Sequence, residues 1–177
     1  MLTLIKTIAK VLSILNSEIS HKQIATGFAY GALLGLLPVK GLLPYVLLFF
    51  GFIINVNLVI MFVAAAIFKL ISFVVDPVAN QLGYFLLVKS EGLKSLWTSL
   101  YNMPLVPFTR FNNTLVMGSL VVGVLLFLPL IFFMIKFVKV YRTRFRDQVQ
   151  KFKLVQIFKT SALYRFYESY KNIRGNF

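Results

Sequence analysis

The sequence contains no cysteine, one histidine and only five acidic residues in 177. Without cysteine, disulfide bonds and thiolate metal sites are excluded. The five acidic residues are scattered, His21 has no partner at metal-ligand spacing, and no serine lies in a nucleophile-elbow pattern. We therefore expect no enzymatic activity, no metal and no cofactor.

Charged residues of either sign are also scarce, at 14% of the chain, whereas 59% are hydrophobic and the mean hydropathy is +0.82. A chain with so little polar surface cannot cover itself in water, so the composition predicts an all-α integral membrane protein. The formal charge of +14 raises nucleic acid as a partner. However, the basic residues flank apolar segments, where anionic headgroups and membrane topology explain them more simply. We therefore expect no nucleic-acid partner.

Glycines recur every four residues in the stretch QIATGFAYGALLGLLPVKGLLP, which covers residues 23–44. They are Gly27, Gly31 and Gly35. On a helix they form one stripe where a neighbouring backbone can approach closely, so they predict a packing seam. The helix should end at Pro38, before Lys40 and Gly41. Its 14 residues reach about 21 Å, short of a roughly 30 Å hydrocarbon core, so residues 24–54 are predicted to form a short re-entrant or broken hairpin.

A nearly continuous apolar run follows, from Leu42 to Asp76. Asn55 and Asn57 are the expected division in this run, because short amides favour turns and local hydrogen bonds with the backbone. Residues 58–75 then form a span about 27 Å long, sufficient for a crossing. We expect Asp76-Pro77 to end this span, with Asp76 as the N-cap of another helix.

Residues 77–101 form a weaker, mixed segment, which we interpret as one or two short helices at the surface, with Trp97 as an interfacial anchor. Leu115 to Val138 is the clearest transmembrane helix in the sequence. Pro129 is the expected position of a kink in it.

The chain divides into three predicted regions: an N-terminal amphipathic interfacial helix (1–22), a membrane domain (23–138) and a basic amphipathic tail (139–177). The positive-inside rule places both termini in the cytoplasm of a multi-pass protein. Residues 23–113 must then cross an odd number of times. A re-entrant hairpin plus one crossing satisfies this condition, and so do three crossings; the short arms favour the hairpin.

Polar groups at membrane depth are the candidates for function. The candidate lipid or anion contacts are Lys40, Gly41, Asn57, Lys69, Asp76, Arg110, Asn112 and Asn113. Lys40, at the hairpin tip, could meet a lipid phosphate or another anion, although a snorkelling lysine explains it too. For Lys69, snorkelling and function are equally open. Asp76 and Asn57 suit helix capping or a turn, and Arg110 with its two asparagines suits either a headgroup contact or capping of the long helix.

A set of motifs extends over nearly the whole chain. They are Gln23, Gly27, Gly31, Gly35 and Pro38, then Asn57, Asp76-Pro77 with Leu82-Gly83-Tyr84, Leu96-Trp97-Thr98, Tyr101-Asn102, and Arg110-Phe111-Asn112-Asn113-Thr114 with Gly118-Ser119. This set resembles a bacterial family of small inner-membrane proteins of unknown function. The glycine-rich helix ending at Pro38 is also similar to the core of a broader uncharacterised membrane domain, sometimes joined to glycosyltransferases.

The resemblance implies a gene beside one for a large envelope protein of the AsmA type, an elongated lipid conduit anchored in the inner membrane. It thereby implies an inner-membrane subunit for phospholipid handling that feeds or anchors such a protein, with phospholipids as partners and homo-oligomers left open. Two alternatives of other classes remain. One is a stand-alone small-molecule or ion transporter that uses the broken helices as its midplane site. The other is a membrane anchor whose tail recruits cytoplasmic partners.

Overall fold

A computed structural model describes residues 2–17 and 19–145, and within these ranges the chain is helical throughout, with no strand. The helices are α1 (Leu2–Asn16), α2 (His21–Leu36), α3 (Leu43–Ile53), α4 (Leu58–Tyr84), α5 (Lys94–Tyr101) and α6 (Thr114–Val140). Short helical turns are Phe85–Lys89, Glu91–Leu93, Val106–Thr109 and Tyr141–Phe145. The predicted all-α class is confirmed for this part of the chain, whereas the predicted tail lies outside it from residue 146 onward.

The described residues form two compact units, one of residues 21–135 and one that combines those before 21 with residues 136–145. In the second unit, the guanidinium of Arg142 donates hydrogen bonds of 2.8 Å each to the carbonyls of Leu15 and Ile19. Carbonyls at a helix C-terminus lack intrahelical partners, and a basic side chain satisfies them well. Arg142 therefore ties the end of α1 to the turn that follows α6.

Helices α2 and α4 of the first unit run parallel, with the three glycines of α2 against α4. A Cβ atom on Gly27 would lie 2.8 Å from the carbonyl oxygen of Asn57, and one on Gly35 would lie 2.8 Å from the Cβ of Phe68. Gly31, between them, faces Met61. The residue numbers on α2 and on α4 increase together along the contact, so the two helices run in the same direction. Because the three glycines of α2 have no side chains, the two backbones can touch.

Helix α4 begins beside the start of α2. Helix α3, which leads from the end of α2 to the start of α4, therefore runs back along this pair. The amide of Asn57 donates to the carbonyl of Gln23 at 3.2 Å, and the hydroxyl of Tyr30 donates to the carbonyl of Leu47 at 2.7 Å. The expected break at Asn55–Asn57 is confirmed: Asn57 is the N-cap of α4, and its side chain accepts from the amide of Ile60 at 3.0 Å. Helices α2 and α3 therefore form a hairpin that starts and finishes at the same end of α2.

Helix α4 continues through Asp76 and Pro77 to Tyr84, so the predicted helix end and the predicted capping role of Asp76 are wrong. Pro77 removes one backbone hydrogen bond from a helix interior. The helix persists because its second half packs closely on α6: a Cβ on Gly83 would lie 2.9 Å from the amide nitrogen of Gly118, and Gly118 in turn abuts Ala79. Tertiary packing thus outweighs the local helix-breaking signal.

Helix α6 runs antiparallel to α4, as shown by the contacts of Gly83 with Thr114 and of Ala79 with Gly118. The side chain of Asn113 accepts from the amides of Leu115 and Val116, at 3.0 and 3.2 Å, and so caps the helix. The hydroxyl of Thr114 also bonds with the side chain of Asn80 on α4. The helix predicted at residues 115–138 is confirmed.

Two helical stretches, Leu58–Lys89 and Thr114–Arg144, are long and apolar enough to cross a membrane, each with a window of mean hydropathy 2.7. Their large apolar side chains point mostly outward. Leu70, Phe73 and Val74 are 72%, 75% and 78% exposed. A core helix of a soluble protein buries such side chains, whereas outward apolar surface of this extent is typical of helices that face lipid.

Candidate functional site

The hairpin tip comprises residues 37–42, between α2 and α3. Its backbone turns at Gly41, whose φ of 115° is a conformation that favours glycine. The ammonium of Lys69, on α4, donates to the carbonyl of Leu37 at 3.0 Å. That carbonyl lies at the C-terminus of α2, where the helix dipole favours a positive charge. Lys69 therefore holds the base of the tip against α4.

A second loop, residues 105–113, leads from α5 into α6. Within it, the short turn Val106–Thr109 is flanked by Leu105, with φ 71°, and Arg110, with φ 57°. Side chains other than glycine are unfavourable in this left-handed region, and such conformations cluster at functional sites. Among the residues that the structure describes, positive φ occurs at Gly41, Leu105 and Arg110, and all three belong to the hairpin tip or to this loop.

The two loops are in direct contact. The amide of Leu42 donates to the carbonyl of Phe108 at 2.8 Å. A Cβ on Gly41 would lie 3.0 Å from the carbonyl oxygen of Thr109 and 3.4 Å from the Cγ of Arg110. Glycine thus allows the tip to approach the second loop closely. We call residues 38–42 and 105–113 together the loop junction.

The loop junction carries two exposed cations, Lys40 and Arg110. Neither forms a salt bridge within the described part of the chain, whereas Lys94 is paired with Glu91 at 3.2 Å. Exposed apolar side chains lie in the same two loops, including Phe108 at 68%. A guanidinium and an ammonium without a carboxylate partner suit an anion such as phosphate. The apolar neighbours suit the region just beneath a lipid headgroup.

The remaining predicted site residues are distributed unevenly. Asn112 is exposed in the second loop and Asn113 caps α6, so both belong to the loop junction. Asn57 caps α4 beside the start of α2, at the other end of that helix from the tip. Asp76 lies half-buried within α4, on the same helical face as the buried Ala79. The structure thus brings Lys40, Gly41 and Arg110 together, whereas Asn112 and Asn113 follow Arg110 along the chain and Asn57 and Asp76 lie elsewhere.

Sequence reasoning missed the second loop's contribution to the tip, because Leu105 and Phe108 carry no local signal for contact with residues 38–42. It also missed that Gly83 packs directly on α6. The spacing Ala79-x-x-x-Gly83 is a pair of small residues on one face and could have indicated this seam. Ser119, beside Gly118, is 1% exposed, and its hydroxyl has no hydrogen-bond partner among the described residues.

The fold and the loops define a small helical protein with two helices able to cross a membrane and a basic junction between loops. The chain matches, over residues 7–147, the family described as an uncharacterized protein conserved in bacteria (DUF2062), and it belongs to that family.

This chain is also similar to an uncharacterized protein of Treponema pallidum (strain Nichols), with 29% identity over 126 residues, which cover 71% of this chain and 77% of the relative. No solved structure is significantly similar to this chain. Membership of an uncharacterised bacterial family, expected from the motifs, is confirmed. The relation to a broader membrane domain stays a prediction.

Proposed function

We propose that this protein is an integral inner-membrane subunit for phospholipid handling, and that its loop junction binds the phosphate of a phospholipid headgroup. The observation that carries the proposal is the contact between two distant loops that places Arg110 against Gly41, next to Lys40. Both cations are exposed and neither has a salt-bridge partner in the described residues.

The lengths of the two long helices support two membrane crossings. Residues 58–79 and 115–135 are uninterrupted helix, and at about 1.5 Å per residue they measure roughly 33 and 31 Å, close to a hydrocarbon core of roughly 30 Å. Their polar ends coincide, since Asn80 bonds with Thr114. We place one membrane boundary at this pair.

The same placement of the membrane boundary supports a re-entrant hairpin. Helix α2 begins and α3 ends beside the start of α4, so the hairpin enters and returns on one side of the membrane. Its tip begins beside Lys69, eleven residues before Asn80, and therefore about 16 Å inside the boundary. Lys69 is the charged group at this depth, where charges are rare and mark functional sites.

The orientation of the protein rests on its basic residues. Lys136, Lys139 and Arg142 follow the apolar run of α6, and basic residues beside a crossing favour the cytoplasm. Both termini are then cytoplasmic, and the loop junction opens toward the periplasmic leaflet. This is the side from which a large periplasmic partner would receive lipid.

Binding at the loop junction combines charge and apolar contact. The planar guanidinium of Arg110 can donate two parallel hydrogen bonds to phosphate oxygens, and the ammonium of Lys40 adds a second charge. Val39, Leu105 and Phe108 offer apolar surface to the glycerol and upper acyl region. A lipid bound in this way exchanges contacts with neighbouring lipids for contacts with the protein, which weakens its packing in its leaflet. The site would thus prepare a lipid for removal.

The second half of the proposal is that this subunit feeds or anchors a large AsmA-like envelope protein. It is supported by the resemblance of the motifs, and by a loop junction that opens toward the side where such a protein lies. A transporter acting alone is the second candidate function. The interrupted α2–α3 hairpin, with a lysine at its tip, favours it, since broken helices commonly form transport sites.

The test is native mass spectrometry of protein purified in mild detergent, which detects bound phospholipid directly. We expect the double variant Lys40→Ala/Arg110→Ala to lose at least tenfold of the co-purified phospholipid. The matched control is Lys10→Ala/Arg144→Ala, which removes one lysine and one arginine at exposed residues outside the loop junction. Equal lipid content in the two double variants would contradict headgroup binding at this site.

The same purification identifies partners. Recovery of a large periplasmic protein with the wild-type chain supports the partner proposal. Solute flux from the chain reconstituted alone supports the transporter instead. If deletion of residues 146–177 abolishes function while Lys40→Ala/Arg110→Ala has no effect, the chain is a membrane anchor for cytoplasmic partners.

A further inference from the structure

We infer that residues 84–108, which we call the platform, dock on the headgroup layer of an anionic lipid leaflet. The platform runs from the end of α4 into the second loop, and includes α5. The inference rests on the proposed membrane crossings of α4 and α6. It does not require phosphate binding by Lys40 and Arg110.

The inner side of the platform is fixed to the ends of both long helices. The indole of Trp97 donates to the carbonyl of Leu86, just beyond α4, at 3.0 Å. Its ring lies 6.3 Å from that of Phe111, which is 8% exposed and precedes α6. Helix α5 is therefore folded back over the ends of the crossings and cannot extend away from them.

Large apolar side chains are exposed on the platform, among polar ones. They include Phe85, Val88, Leu96, Tyr101, Leu105 and Phe108. Leu96, Tyr101, Leu105 and Phe108 lie outside the two stretches that are long enough to cross a membrane, and their exposure is unfavourable in water. This surface therefore requires a covering layer.

Position and charge identify the covering layer as lipid. Leu86 follows Asn80 by six residues, about 9 Å along the helix axis, which is roughly the thickness of a headgroup layer. Lys89 and Lys94 outnumber Glu91 in the platform, so it attracts anionic headgroups. Apolar side chains interleaved with lysines are typical of segments that lie in the membrane interface.

The backbone at Leu105 supports the same conclusion. This leucine has a φ of 71° and is 67% exposed. Glycine would adopt that conformation without strain, so an outward leucine is unfavourable both for its backbone and for its exposure to water. Insertion of the Leu105 side chain among acyl chains removes its exposure to water.

Trp97, in the platform, is the single tryptophan of the chain, so tryptophan fluorescence can report depth without labelling. The full chain is reconstituted in vesicles of phosphatidylcholine and phosphatidylglycerol that contain lipids brominated either near the headgroup or near the methyl end. Because Trp97 faces inward, the variant Trp97→Phe/Phe108→Trp moves the probe to the outer side. The variant Trp97→Phe/Leu125→Trp is the deep control, since Leu125 is 66% exposed in the middle of α6.

We expect the probe at position 108 to be quenched at least twofold more by shallow than by deep bromines, and the probe at 125 to show the reverse. Quenching at 108 should increase with phosphatidylglycerol content, and the change Lys89→Gln/Lys94→Gln should reduce that dependence. Quenching at 108 by aqueous acrylamide, without quenching by bromines, would overturn the inference. So would protection from acrylamide in native membranes that is absent after reconstitution in these vesicles, because it would indicate a protein partner.

The two proposals fail separately. If Lys40→Ala/Arg110→Ala loses bound phospholipid while the shallow quenching at 108 persists, the platform is correct and independent of the phosphate site. If that variant retains its lipid and the shallow quenching persists, phosphate binding is wrong and the platform still stands.

Discussion

The contact between α2 and α4 makes a quantitative prediction for Gly31→Ala. Gly31 lies at the centre of the seam, where an added Cβ would overlap the carbonyl oxygen of Met61. It would also lie 2.8 Å from the Cβ of Ala64 and 3.0 Å from the amide nitrogen of Ala65. These atoms belong to the backbone or are fixed to it, so none can rotate away. The two helices must separate to admit one methyl group.

The expected loss follows from two opposed terms. Overpacking a tight interface destabilises by about 1–3 kcal/mol, and a clash with backbone belongs at the upper end. Replacing glycine by alanine within a helix returns up to about 1 kcal/mol. We expect a net loss of about 2 kcal/mol. For a chain of this length that corresponds to a decrease in Tm of roughly 4–8 °C.

The assay is thermal unfolding in detergent, followed by Trp97 fluorescence and by size-exclusion chromatography. Gly92→Ala is the matched control, because a Cβ at Gly92 meets no atom within 4 Å. It should change stability by less than about 0.5 kcal/mol. If Gly31→Ala is as stable as Gly92→Ala, the two backbones are not in contact at Gly31, and the parallel pairing of α2 and α4 is wrong.

Three further variants test individual hydrogen bonds. Lys69→Met removes the bond to the carbonyl of Leu37; since a bond from a charged group contributes about 1.5–3 kcal/mol, we expect a lower Tm and greater labelling of a cysteine placed in the hairpin tip. Tyr30→Phe removes the bond to the carbonyl of Leu47, so we expect a loss of about 0.5–1.5 kcal/mol and faster amide exchange in α3. Arg142→Gln frees two carbonyls at the end of α1, so α1 should be cleaved faster by protease.

Each of these variants has a control at an exposed residue of the same type. Lys10→Met, Tyr45→Phe and Arg144→Gln alter side chains that are exposed in the structure. Equal Tm values for Lys69→Met and Lys10→Met would show that the hydrogen bond from Lys69 to Leu37 contributes nothing to stability. Unchanged exchange in α3 after Tyr30→Phe, or unchanged cleavage of α1 after Arg142→Gln, would contradict the corresponding bond.

Some features could be predicted from the sequence because their causes are local. Proline cannot continue a helix interior without losing a hydrogen bond, and the end of α2 just before Pro38 follows this rule. Asn57 accepts from an amide three residues later, so the start of α4 depends on neighbours in the chain. The length and apolarity of α6 are likewise properties of one continuous segment.

The continuation of α4 could not be predicted in this way. Asp76-Pro77 has the local features of a helix start, and only the packing of Ala79 and Gly83 on Gly118 keeps the helix intact. That packing depends on where α6 lies, and this position depends on the path that residues 90–113 take between the two helices. A local pattern contains no information about this return.

The contact at the loop junction likewise could not be predicted from local sequence. Lys40 and Arg110 were each candidates from the sequence, but nothing in either segment indicates that the amide of Leu42 bonds with the carbonyl of Phe108. The contact requires α2 to pack on α4 and α4 to pack on α6.

The sequence by itself determined the composition suited to lipid, the helices and most of their ends, because these depend on hydrophobicity and on neighbours a few residues apart. Only the tertiary structure decided that α4 runs unbroken to Tyr84 and that the hairpin tip meets the second loop at Gly41. Both depend on close approaches between segments far apart in the chain. The close packing of whole helices, rather than any local pattern, determines such contacts.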